Sequence, residues 1–171
     1  MFPLITMIEV VGTPQVSNWE PTIWQGAVVH TPLPLAPTFT DAQKGDFVKF
    51  DGMGRIERSP TGGAGAYPDD YQGLIVSTVP DSREHPAFSP PYDRPLVALL
   101  VPNKTEILMR EMDFRGNYIF PTLRHNDPTI FVFDPSNKRW GVQYAQSWFV
   151  PTGRVVKVLS DGRLLILFGT N

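Results

Sequence analysis

The sequence predicts an all-β protein with long ordered loops. Three observations carry that prediction. Eighteen prolines are spread over the whole chain of 171 residues, and a proline in a helix interior removes a hydrogen bond and clashes with the preceding turn. The longest proline-free runs, 38–59, 103–120 and 152–171, mostly read as alternating or continuous apolar segments of strand length. Asp-Gly pairs recur between such segments, at Asp51-Gly52 and Asp161-Gly162, which is hairpin-turn chemistry.

Along the chain, residues 1–40 carry prolines at 3, 14, 21, 32, 34 and 37, interleaved with Trp19, Trp24 and Phe39. This segment is too apolar for a solvated tail and too broken to fold alone. It is expected to be an extended arm, lying on its own domain or on a neighbour, with 31–37 polyproline-like or an edge strand. Residues 41–171 form the domain proper. A first hairpin spans 46–58, with Val48, Phe50 and Ile56 on one face and Lys49, Arg55 and Glu57 on the other. A Gly/Pro/Asp loop follows at 59–72, a strand at 73–80, and a second proline-rich loop at 81–95. LVALLVP (96–102) and EILMREM (106–112), joined by Asn103-Lys104-Thr105, read as a second hairpin; within 103–120 a helix competes with a strand for TEILMREM. NYIFPTL (117–123), TIFVFD (129–134) and WGVQYAQSWFV (140–150) read as further strands, with a turn at 135–140. The last pair, VVKVL and RLLILF around Asp161-Gly162, is the clearest hairpin. Both of its arms are nearly continuous in apolar residues, so 163–168 is expected to sit centrally in a barrel or beneath a partner subunit.

Composition removes several classes of function. With 15 basic and 17 acidic residues the formal charge is -2, which gives no reason to expect nucleic acid or an anionic membrane as a partner. There is no cysteine, so disulfides, thiolate catalysis and thiolate metal sites are excluded. No stretch reaches the ~18 apolar residues of a membrane span, and the N-terminus lacks a basic start and carries Glu9. A soluble protein made in the cytoplasm is expected. His30, His85 and His125 are dispersed. His125-Asn-Asp127-Pro is the one His-x-Asp pair, read mainly as a turn. Asp69, Asp70 and Asp81 lack the oxygen-ligand spacing of a calcium loop. Gly62 to Asp70 lacks the lysine and strand–helix context of a phosphate loop. No catalytic, cofactor or metal residues are assigned. Trp19, Trp24, Trp140 and Trp148, with Tyr67, Tyr71 and Tyr92, would serve a carbohydrate-binding module, or else fill the core and anchor interfaces.

Within 42–82, Gly45, Asp46, Val48, Asp51, Gly52 and Gly54, followed by Gly73, Leu74, Ile75 and Val76, form a pattern that resembles the bacteriophage capsid cement (decoration) proteins. A Gly-Asp-x-Val strand, a D-G-x-G turn, a polar return strand and a Gly-Leu-Ile-Val strand carry the likeness, over about 40 residues. The resemblance implies a small β-barrel or β-tulip that binds the outside of a capsid as a trimer or other oligomer, clamps neighbouring coat subunits and carries no chemistry. Its partner would be the major capsid protein, and its place the virion surface. The interface residues on this reading are Phe2, Leu4, Ile5, Trp19, Trp24, Leu33 and Leu35, with Trp19 and Trp24 as anchors. Deleting 1–38 would then leave a folded domain that no longer attaches. A tail, baseplate or head–tail joining protein is a reading of the same kind.

Overall fold

A computed structural model of the chain describes residues 19–30, 32–77, 94–112 and 122–169. Eleven strands account for nearly all of its regular structure: β1 (Thr22–Gln25), β2 (Val28–Val29), β3 (Phe47–Phe50), β4 (Ile56–Arg58), β5 (Gly73–Ile75), β6 (Val97–Leu99), β7 (Glu106–Arg110), β8 (Pro128–Asp134), β9 (Arg139–Tyr144), β10 (Gly153–Val158) and β11 (Arg163–Phe168). Among the described residues, one turn of 3-10 helix, Pro68–Asp70, lies in the loop after β4. The strands form two sheets, ordered β1-β7-β11-β10-β8-β9 and β2-β6-β5-β3-β4. Every strand pairing in them is antiparallel. The protein is all-β.

Three hairpins follow their turn chemistry. In β3–β4, Lys49 faces Glu57 and Phe50 faces Ile56. Asp51 Oδ1 closes the turn by accepting the Met53 and Arg55 N–H groups at 2.8 and 3.0 Å. In β8–β9, six residue pairs run from Thr129↔Tyr144 to Asp134↔Arg139, with the Asp134 carboxylate taking the Ser136 N–H and the Asn137 amide. In β10–β11, Gly153 faces Phe168 and Val158 faces Leu164, with a bulge between Val155 and Lys157. Strand β11 lies between β7 and β10, so the apolar terminal run is central. Gly162 holds the turn before it at φ +89°, and a Cβ there would stand 3.2 Å from the Arg110 guanidinium. Gly162→Val is therefore expected to cost about 1–2 kcal/mol. An unchanged urea midpoint would count against this turn.

One expected hairpin is not formed. β6 and β7 flank the Asn103-Lys104-Thr105 turn but belong to different sheets: β6 pairs with β5 and β2, β7 with β11 and β1. The reason is physical. β6 is apolar on both faces, and in β7 Leu108 is buried on the face it shares with Glu106 and Arg110 while Ile107 and Met109 are buried on the other, so neither pattern chooses a partner. The turn is closed on Val101, whose carbonyl takes the Lys104 and Thr105 N–H groups, and Asn103 has φ +63°. The chain leaves one sheet there and enters the other. The fully buried Thr105 hydroxyl fixes the crossing, accepting the Val101 N–H at 2.7 Å and donating to the Gly26 carbonyl at 2.9 Å. A strand boundary also differs. Strand β9 ends at Tyr144, after which Phe149 N–H turns back to the Gln146 carbonyl. Most of 117–123 lies outside the described residues, as does most of the 81–95 loop.

The main core lies between the sheets. Phe47, Tyr71, Leu74 and Leu100 meet Ile107, Met109, Phe131, Trp140, Val142, Val155, Leu164, Ile166 and Phe168. Phe47 stacks on Phe131 at 4.5 Å between centroids and meets Trp140 edge-on at 5.2 Å, geometries that add to simple burial. Successive residues of a strand point to opposite faces. So Val48, Ile56, Ile75 and Val97 build a second cluster on the outer face of the five-stranded sheet, with Phe39 and Ala42. Leu33 and Leu35 pack on that cluster. Leu35 also forms a parallel bridge to Ile56. The segment 19–40 thus supplies an edge strand to each sheet and the cover of the second cluster.

Candidate interaction site

The residues that carry the resemblance serve the framework. Gly45 has φ +92°, and a Cβ there would lie 2.9 Å from the Glu20 side chain. Gly73 pairs with Leu99 on β6, and an added Cβ there would stand 2.4 Å from Val97 Cγ1. Asp46 is fully buried and joins three parts of the chain. Its carboxylate accepts the Trp140 indole N–H at 3.1 Å, the Gln43 N–H at 3.1 Å and the Arg58 guanidinium at 3.0 Å. Burial pushes this carboxyl above the usual aspartate value, against the pull of Arg58, Gln43 and Trp140. Arg58 lies over the Phe39 and Phe133 rings, 5.0 and 4.4 Å from their centroids. It also meets Asp41, which in turn meets Lys138 at 3.2 Å. The network ties the segment before β3 to β4 and to the β8–β9 turn.

The Asp51 turn gives a pH test. The Arg55 backbone N–H, with the Met53 N–H and the Arg55 guanidinium, holds the Asp51 carboxyl below its usual value of 3.8. A depressed folded value means the carboxylate stabilises the fold above pH 3.8 and loses that contribution as pH falls through the folded value. Asp51→Asn keeps an acceptor for the turn but not the charge. It is expected to melt below the parent at neutral pH and to converge with it in acid. Asp46 titrates in both proteins and cancels from the difference. A gap that persists at pH 2 would remove this account of the turn.

Above the Asp46 network lies a groove of about 510 Å³, formed by 19–21, 43–45 and 137–140. Arg139 sits 3.7 Å from the centre of the Trp19 ring, and Lys44 reaches Glu20 at 3.6 Å. The His125 pair forms a turn: His125 Nδ1 pairs with the Val156 carbonyl at 2.7 Å, and Asp127 accepts the Arg124 N–H at 2.8 Å. Asp70 caps Tyr67 and meets Lys49. Tyr71 is core, its hydroxyl donating to the Pro60 carbonyl at 2.6 Å, and burial holds its phenol far above the usual range. Asp81, His85 and Tyr92 lie outside the described residues. Among the described residues no three His, Asp or Glu side chains come together as a metal site, and no helix is long and apolar enough to cross a membrane.

The residues expected at an interface separate into groups. Phe2, Leu4 and Ile5 lie outside the described residues. Leu33 and Leu35 are taken up by the chain's own second cluster. Trp19 is partly covered and stacked on Arg139. Trp24, on β1, is 62% exposed, and Val28 and Val29, which make up β2, are 57% and 65% exposed. Nothing in their local pattern marks the two valines; their one signal in the sequence is the run from Pro21 to Thr40 without Asp, Glu, Lys or Arg. Trp148 is a separate exposed aromatic, at 71%, packed edge-on against Phe149. No protein-family model matches the chain, and neither a curated protein nor a solved structure matches it.

Proposed function

We propose that this chain is a non-enzymatic virion structural protein that binds the outside of a phage capsid and stabilises it by clamping neighbouring coat subunits. It would be made in the host cytoplasm and act as an oligomer, a trimer on the resemblance, with the major capsid protein as its partner. The observation that carries the reading is the uncharged strip of exposed edge strand at 22–29, centred on Trp24. Apolar side chains on an open strand edge are what a protein that joins others by its sheets would present. The Glu111↔Val142 bridge, which brings β9 back to the end of β7 within one sheet, supports a barrel-like form for the six-stranded sheet. Many modest contacts on one shell add by multivalency.

The test is pelleting of purified chain with shells from its own source, with copies counted by quantitative mass spectrometry. Saturable binding at a fixed ratio to coat protein, on the order of hundreds of copies, is the expected result. A handful of copies would indicate a vertex or tail component. Absence of binding would overturn the reading in favour of a glycan-binding module, for which the groove beside Trp19 and the exposed Trp148 are the observations.

A further inference from the structure

An open sheet edge is a row of unpaired N–H and C=O groups, so each edge calls for cover or a partner. The two sheets have four edges: β1 and β9, β2 and β4. Two are covered by the chain itself. Residues 34–36 run along β4, with the Ile56 N–H bonded to the Pro34 carbonyl and the Ala36 N–H to the Ile56 carbonyl, both at 2.9 Å. Residues 111 and 112 meet β9 through the Glu111↔Val142 bridge and the Met112 N–H to the Val142 carbonyl at 2.8 Å. Among the described residues, nothing pairs with the outer sides of β1 and β2. These two edges are consecutive in the chain, joined only by Gly26 and Ala27. The joint is held by the Thr105 hydroxyl on the Gly26 carbonyl. The β1 register shifts between Ile23 and Gln25, which leaves Trp24 out of the ladder and exposed.

We propose that the β1–β2 edge binds a second copy of this chain, edge to edge across a two-fold axis, giving a closed dimer. This rests on the reading of the protein as an oligomer and replaces the trimer with a defined two-fold contact. Two features favour a second copy over another partner. No residue from 21 to 29 is charged, so a two-fold axis can set this strip against itself with no like charges opposed. Among the described residues the open edges also belong to one continuous segment, 22–29, while the opposite edges are covered. A head-to-tail contact needs two different open surfaces and would propagate; one open surface pairs with itself and stops at two.

Sedimentation velocity of the full chain across a concentration series is the test. The expected mass is twice that of the chain. Trp24→Lys combined with Val29→Lys sets four lysines into the contact and should weaken association by at least about tenfold. Both side chains are mostly exposed in the single copy, so the far-UV spectrum of the variant should match the parent. Met53→Lys, at a side chain 74% exposed in the β3–β4 turn, should leave association unchanged. A single-chain mass at every concentration, a trimer, or a dimer indifferent to the edge lysines would overturn the proposal. Shell pelleting on the same samples separates it from the capsid reading: a lysine-sensitive dimer that does not pellet upholds the contact and removes the capsid role. A protein that pellets but sediments as one chain does the reverse.

Discussion

Replacing Asp46 by alanine is expected to lower stability by about 3–5 kcal/mol, the range for removing one partner of a buried, hydrogen-bonded ion pair. Marginal stabilities of about 5–15 kcal/mol make that a loss of much of the fold. The effect comes from what is left behind. Arg58 would keep its place over Phe39 and Phe133 with only Asp41 as a counter-charge, and the Trp140 indole N–H, in a side chain 1% exposed, would have no acceptor. Each buried donor left unsatisfied costs about 1–3 kcal/mol. Asp46→Asn is expected to cost less, because its amide oxygen can still take the Trp140 N–H, but its NH₂ would oppose Arg58. Urea denaturation of the three proteins checks the order: parent, then Asn, then Ala. An alanine variant within about 1 kcal/mol of the parent would show that the network contributes little.

That Asp46 matters for folding was visible only as a motif. Gly-Asp-Phe-Val reads as a strand start, and nothing local announces that residue 46 will meet residue 140, on the far side of the chain. Local chemistry was the legible part. Asp51, Asp161 and the β-branched and aromatic runs of 129–134 and 163–168 each define their own turn or strand, and each hairpin formed around them is in place. Choice of partner was not legible where both faces of a strand bury apolar residues, as in Val97–Leu99 and Glu106–Arg110. There the turn at 101–105, with Thr105 reaching back to Gly26, decides between sheets. The candidate surface was half legible. Trp24 stands out as an aromatic in an uncharged stretch, whereas Leu33 and Leu35 look equally free until the second cluster beneath them is seen.

Deleting residues 1–38 is accordingly expected to unfold the protein rather than to release a trimmed domain. The deletion removes β1 from β7, where Thr22 and Ile23 face Leu108 and Ile107, and β2 from β6. It strips Leu33 and Leu35 from the second cluster and the 34–36 backbone from the edge of β4. Two partly buried leucines contribute on the order of 2–3 kcal/mol together, and each lost ladder bond about 1 kcal/mol. The loss is thus on the order of 5 kcal/mol, comparable to the whole stability of many domains. Deletion of 1–18 spares every one of these contacts and is expected to keep a cooperative melt. The pair of truncations separates two roles for the N-terminal region. If the 1–38 deletion melts cooperatively near the parent's midpoint, the segment 19–38 is an appendage and the contacts of Leu33, Leu35 and β1 carry little weight. If only that deletion loses its transition while the 1–18 deletion keeps it, the boundary between arm and domain falls near Trp19, and any attachment lost on removing 1–18 belongs to residues such as Phe2, Leu4 and Ile5.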